Sequence, residues 1–296
     1  MRTIELPPVG HLVEVSGIRL WTHKSGVGRH PVVFVPGAGG VGLDFFLAHE
    51  RVAKFTTAVV YDRAGTGWSA DIALPRSTTE VTDELRTFLS VIGVQSPVVL
   101  VGHSLGGAYV QRYAQRFPDE VAAMLLIEPI HEDWNDYMPD DLKIEANSGA
   151  DDSILEITED LLAHFRNSFT ETFSAFPHPL REILIDKHLS PERLLTGFHE
   201  GANVLAIFDE LRLGGARPDV PLIVLSGTEI DAAQKVFASE DQLRQQITAS
   251  EQLFESIAAN APHGEHRILP GATHVNIPMS RPDAVAAAVC ELAARV

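Results

Sequence analysis

Ser104 stands in Val98-Val-Leu-Val-Gly-His-Ser-Leu-Gly-Gly107, where a run of β-branched and leucine residues meets Gly-x-Ser-x-Gly and small residues follow. This stretch predicts a buried strand, a tight turn and a helix packed closely on a sheet. Gly102 and Gly106 fall where a side chain would collide with neighbouring backbone. Such a turn lifts the Ser104 hydroxyl clear of the strand and makes it a candidate nucleophile. A serine hydroxyl attacks poorly unless a base takes its proton, and near neutral pH the natural base is a histidine. Among 13 histidines the candidate is His274, in Leu269-Pro-Gly-Ala-Thr-His-Val-Asn276. That segment follows the last predicted strand and precedes the last predicted helix, so its side chains swing back over the sheet edge. His103 adjoins the serine but should point to the opposite side of the turn, and His263 and His266 fall before or at the start of a strand. All three read as structural.

The base needs a carboxylate to hold its tautomer and stabilise the imidazolium. Two residues qualify. Glu128 ends the apolar run Met124-Leu-Leu-Ile127, and Asp231 follows Leu225-Ser-Gly-Thr-Glu-Ile230. Both give the order serine, acid, histidine. Glu128 is favoured because a residue at the carboxyl end of a buried strand is well held, whereas Asp231 lies several residues beyond its strand. Without a catalytic role, Glu128 would brace a loop with Pro129 and Asp231 would cap a short helix. Attack on a carbonyl also creates an oxyanion, which needs fixed N–H donors. The Leu105 amide, at a helix start, is one. The Gly-rich turn Val35-Pro-Gly-Ala-Gly-Gly40 supplies the second, from Ala38 or, next, Gly39, with Gly37 and Gly39 beside the substrate. The turn lacks both the G-x-G-x-x-G spacing and the Gly-Lys-Ser/Thr ending of nucleotide-binding loops.

Short apolar runs alternate with helix-period segments, the pattern of a mostly parallel sheet covered on both faces. His11 to Thr22 predicts an opening hairpin around Gly17. Strands follow at 32–35, 57–61, 98–101, 124–127, 222–225 and 267–269. Ser77-Thr-Thr-Glu80 is a capping box ahead of an apolar stripe at Val81, Leu85, Phe88, Leu89 and Ile92, and Pro282 opens a final helix. From about 131 to 217 the alternation stops and only helical patterns appear. We read residues 131–217 as a helical cap (lid) inserted into a core domain formed by residues 1–130 and 218–296. Phe165 and Phe169 lie on its apolar face and are candidate substrate contacts, because a cap here covers the carboxyl edge of the strands, where ligands bind in such sheets.

The 296 residues are enough for one large core, and 23 basic against 40 acidic residues leave a net charge of −17. Long-range repulsion therefore disfavours nucleic acid and anionic membranes as partners. Cys290 is the only cysteine, which excludes internal disulfides and cysteine metal cages, and its apolar surroundings predict a buried structural thiol. No signal-like or membrane-spanning apolar run occurs, so a cytoplasmic location is expected.

Together these segments resemble the α/β-hydrolase fold superfamily, in its serine esterase or lactonase branch with a helical cap. Gly102–Gly106 is similar to the family's nucleophile elbow, and Tyr61-Asp-Arg-Ala-Gly-Thr-Gly-Trp-Ser69 to its D-R-x-G-x-G-x-S turn. Gly271-Ala-Thr-His274 is similar to its G-x-x-H loop, and Pro36-Gly37-Ala38 stands where members usually carry His-Gly-x. Two departures are Pro36 in place of that histidine and Ile230 where the commonest acid position falls; some branches place the acid where Glu128 stands. The resemblance implies hydrolysis of a bulky, apolar carboxylic ester or lactone through an acyl-Ser104 intermediate, with no cofactor and no metal. Serine at 104 argues against the epoxide hydrolase and haloalkane dehalogenase branches, which use aspartate there. The same triad also suits carbon–carbon, amide or thioester cleavage and acyl transfer. A receptor that binds a small molecule without turnover is the rival of a different class.

Overall fold

The computed structural model describes residues 7–144, 158–232, 234–236 and 238–296. Eight strands form one sheet: β1 (His11–Val15), β2 (Ile18–Ser25), β3 (Val32–Val35), β4 (Ala58–Tyr61), β5 (Val98–His103), β6 (Val121–Ile127), β7 (Leu222–Glu229) and β8 (Gly264–Thr273). Their order is β1-β2-β4-β3-β5-β6-β7-β8. β1, β2 and β4 pair antiparallel, and every pairing from β4 through β8 is parallel. The chain thus opens with the predicted hairpin and then builds the helix-covered parallel sheet that the alternation implied.

The helices are α1 (Phe46–Val52), α2 (Thr78–Val91), α3 (Leu105–Arg116), α4 (Trp134–Tyr137), α5 (Glu159–Thr172), α6 (His178–Leu189), α7 (Pro191–Gly201), α8 (Val204–Leu213), α9 (Glu240–Ala259), α10 (Ile277–Ser280) and α11 (Pro282–Ala294). Strand residues alternate between two apolar layers, as the two-residue period of a strand requires. Val32, Phe34, Val99 and Val101 face a layer completed by Val285, Val289 and Leu292 of α11. Val33, Val35 and Leu100 face one completed by α2, α3 and α9 through Leu85, Val110 and Leu253. The capping box at α2 forms as predicted: the Ser77 hydroxyl accepts from the Glu80 amide, and the Glu80 carboxylate accepts from the Ser77 amide.

Between β6 and β7 the described residues form helices and no strand. They do not make a separate core. Phe173 and Phe176, from the turn between α5 and α6, and Leu184 and Ile185 of α6 join the apolar layer of Phe34 and Phe45. Ile207 and Leu211 of α8 join the opposite layer beside α3. The predicted strand at 267–269 is longer than expected, running from Gly264 to Thr273 and ending immediately before His274. Pro270 fits within it because β8 is an edge strand, where a missing backbone donor breaks no ladder.

The expectation for Cys290 fails. Cys290 is exposed rather than buried. Val285, Ala288, Val289 and Leu292 of α11 take the sheet-facing stripe, and the residue after Val289 is rotated out of it.

Candidate active site

The carboxyl ends of β5, β6 and β8 bring three side chains into one line. Ser104 caps α3 with φ 51° and ψ −119°, a left-handed backbone that a non-glycine residue adopts only when its surroundings enforce it. Those surroundings are specific. The Ser104 amide donates to Ile127 O at 3.0 Å, while Ser104 O accepts from the amides of Gly107 at 2.9 Å and Ile130 at 3.0 Å. A Cβ on Gly106 would lie 2.1 Å from Val35 O, and one on Gly102 would lie 2.6 Å from Gly106 O. The two glycines allow the turn to sit between β3 and α3.

Glu128, one residue beyond β6, is also left-handed, with φ 42°. Its amide donates to Leu225 O at 2.9 Å, which anchors the turn to β7. Its Oε1 accepts from the Gly227 amide at 2.6 Å, and its Oε2 lies 2.7 Å from His274 Nδ1. His274 Nε2 lies 3.1 Å from Ser104 Oγ. Asp231, the other candidate acid, makes no hydrogen bond to the imidazole. Its Oδ2 accepts from Thr273 Oγ1 at 3.0 Å and from the Val275 amide at 3.2 Å, so it orders the backbone on either side of His274.

Burial opposes charge on His274, but the hydrogen bond and charge of Glu128, with the charge of Asp231 behind, outweigh it and raise its pKa above the ordinary imidazole value. His103 shows the reverse. Burial and the neighbouring His274 push its pKa down to about 3, leaving it neutral. Contrary to the sequence expectation, His103 points toward His274. Its Nε2 donates to His274 O at 2.9 Å, and the two rings lie 5.0 Å apart. The reason is strand alternation: residue 103 shares the face of Val99 and Val101, the face to which Ile277 and Met279 return after β8. His266 is placed elsewhere, between Ser226 Oγ and Glu255.

The turn after β3 lies beside Ser104. Among the described residues neither the Ala38 nor the Leu105 amide donates to a protein acceptor, whereas the Gly39 amide donates to Glu200 Oε2 at 2.8 Å. Glu200 comes from α7 and forms a buried ion pair with Arg63, at 3.0 Å to each carboxylate oxygen. Arg63 also donates to Pro36 O at 2.6 Å and Gly37 O at 2.8 Å. Arg63 and Glu200 therefore hold the backbone of residues 36–39 between them. The sequence marked Arg63 only as part of a turn motif and gave no sign of Glu200, because their meeting depends on how α7 docks.

Ser104 and His274 border two cavities. One, of about 330 Å³, is lined by Gly37, Ala38 and Gly39 and by Phe169, His188 and Leu194 from the helical segment. The other, of about 180 Å³, lies toward Trp134, Gln246 and Phe254. Phe169 thus faces the site, while Phe165 packs, half-buried, against the apolar layer.

The model of the Alpha/beta hydrolase family matches residues 32–288. Among curated proteins, the chain is 35% identical over 106 residues to the (lyso)-N-acylphosphatidylethanolamine lipase of Homo sapiens, a stretch covering 34% of this chain and 30% of the lipase. The curated relatives of this kind are matched over only about a third of their length. Among solved structures, epoxide hydrolase CorEH superposes with a TM-score of 0.69 at 15% identity, covering 97% of this chain and 99% of that one. Est816, described as an N-acyl homoserine lactone degrading enzyme, superposes with a TM-score of 0.63 at 17% identity, covering 95% and 99%. At these identities the structural likeness establishes the fold. Among the described residues no helix is long and apolar enough to cross a membrane.

Proposed function

Because the chain belongs to the Alpha/beta hydrolase family, we propose that it is a serine hydrolase that cleaves a carboxylic ester or lactone of a bulky, largely apolar small molecule through an acyl-enzyme. The observation that carries this reading is the unbroken line of hydrogen-bonding contacts from Glu128 through His274 to Ser104. Glu128 keeps the Nδ1 proton in place, which leaves Nε2 free to take the Ser104 proton as Oγ attacks the carbonyl. The Ala38 and Leu105 amides, which have no protein acceptor among the described residues, receive the oxyanion. His274 then protonates the departing alcohol, and water activated by the same imidazole releases the acid from Ser104.

Residues 131–217 act in this reading as the lid, with α5, α6 and α7 covering the larger cavity. Phe169 and Leu194 give that cavity an apolar wall. The reaction requires no metal and no cofactor. Ester hydrolysis is preferred to epoxide opening because the elbow carries serine. The test is turnover of p-nitrophenyl butyrate by the wild type and by Ser104→Ala. Hydrolysis that disappears in the variant while its melting temperature is kept supports the reading; equal rates refute it.

A further inference from the structure

The larger cavity contains a second carboxylate–imidazole pair that the mechanism does not use. His188, on α6, places Nε2 2.8 Å from Asp44 Oδ1, and Asp44 Oδ2 accepts from the Val41 amide at 2.9 Å. The imidazole lies nearly parallel to two phenyl rings, Phe169 at 5.0 Å and 15° and Phe173 at 5.7 Å and 26°. Stacking therefore fixes the plane of the ring and Asp44 fixes its rotation. Nδ1 remains as the ring's one polar atom without a protein partner among the described residues, on a side chain that lines the cavity with Ser104 and His274.

We propose that His188 is a binding residue for a carboxylate carried by the substrate, so that the preferred ester or lactone is apolar along most of its length and anionic at one end. This rests on the hydrolase reading and narrows it. A ring whose Nε2 faces a carboxylate must carry its proton there, and when cationic it offers Nδ1–H to the cavity as a charge-assisted donor. The charged neighbours favour the cation. Burial opposes it, but the charge and hydrogen bond of Asp44 and the charge of Asp62 overcome both burial and Lys187, and the His188 pKa is raised. Arg193 adds positive charge to the same wall, with its Nη1 donating to Gly65 O at 2.8 Å and its Nη2 3.6 Å from Asp71. In a chain of net charge −17, this wall carries the Arg193 guanidinium and a His188 imidazole whose protonation Asp44 favours, and among the described residues Asp44 is its one lining carboxylate.

The experiment compares kcat/KM for mono-p-nitrophenyl glutarate, which carries a carboxylate, with that for p-nitrophenyl butyrate. Binding of monomethyl glutarate is measured by calorimetry in parallel. His188→Gln keeps an amide nitrogen for Asp44 but removes Nδ1 and the charge; Asp44→Asn keeps the ring but withdraws its counter-charge. Wild type should prefer the anionic ester, and that preference should fall by about ten- to a hundred-fold in His188→Gln, as expected for loss of a hydrogen bond to a charged group, and fall in the same direction in Asp44→Asn. An unchanged ratio of the two substrates in folded variants overturns the proposal, as does a wild type that disfavours the anionic ester. A wild type that binds monomethyl glutarate through His188 yet hydrolyses neither ester overturns the hydrolase reading and leaves the carboxylate site standing. Hydrolysis without His188-dependent binding does the opposite.

Discussion

Exchanging Glu128 for glutamine replaces one carboxylate oxygen by an NH2 group, and the surrounding contacts dictate where that group sits. Oε1 of Glu128 accepts from the Gly227 amide at 2.6 Å, so in Glu128→Gln the amide oxygen must take that place. The NH2 group then faces His274 Nδ1, where the carboxylate oxygen stood at 2.7 Å. Two donors cannot face each other, so Nδ1 gives up its proton and the imidazole carries it on Nε2. That nitrogen, 3.1 Å from Ser104 Oγ, can no longer accept the serine proton. A wrong tautomer of this kind lowers kcat by about 10⁴-fold in the serine-protease template, or about 5.5 kcal/mol of barrier. Asp231→Asn keeps an oxygen for Thr273 and Val275 and leaves the tautomer untouched, so its effect should stay below about tenfold, the scale of one neutral hydrogen bond. Initial rates on p-nitrophenyl butyrate, with melting curves to verify folding, separate the two. A Glu128→Gln enzyme with rates near wild type, or an Asp231→Asn enzyme that is the worse of the pair, refutes this assignment of the acid.

Four further outcomes follow from the same geometry. The kcat/KM profile should lose activity as pH falls through a value above the ordinary imidazole pKa, and Glu128→Ala should move that limb downward; an unmoved limb would mean another group titrates. By linkage, the raised His274 pKa stabilises the fold fully below the unfolded value near 6.5, and this contribution is lost as pH rises through the folded value, which urea titrations of wild type and Glu128→Ala across neutral pH should show. Glu200→Ala leaves the Arg63 guanidinium buried without its partner and frees the Gly39 amide, so urea denaturation should show a loss of about 3–5 kcal/mol together with reduced kcat, and a variant of wild-type stability would contradict the pairing. Gly106→Ala drives a methyl group to 2.1 Å from Val35 O, so the elbow or the end of β3 must move; a loss of about 1–3 kcal/mol is expected, and unchanged melting would show that the turn is looser than described.

The parallel strands were legible because their apolar runs are continuous and bounded by turn residues. Val32–Val35 matches the expected bounds, and β7 and β8 ran past them where Ser, Gly and Pro interrupt the pattern without ending the ladder. Ser104, His274 and Glu128 stood out for a local reason: each closely follows a strand of the same parallel sheet, and side chains at such ends converge by topology alone. What the sequence did not disclose depends on docking over long separations. Arg63 with Glu200 and Asp44 with His188 are joined 137 and 144 residues apart, through helices whose approach no local pattern encodes. His103 follows the parity of β5, which puts it on the face of Val99 and Val101, and adjacency to the elbow does not reveal that face. Cys290 lies off the buried stripe of α11, a helix so rich in alanine that composition alone does not phase that stripe.

Activation of the Ser104 hydroxyl by His274 is measured most directly by covalent labelling. Incubation with a fluorophosphonate followed by peptide mass mapping should find one phosphonate per chain, on Ser104, with labelling slowed strongly in Glu128→Gln. Label on another residue, or a folded protein whose Ser104 stays unmodified, would contradict the account.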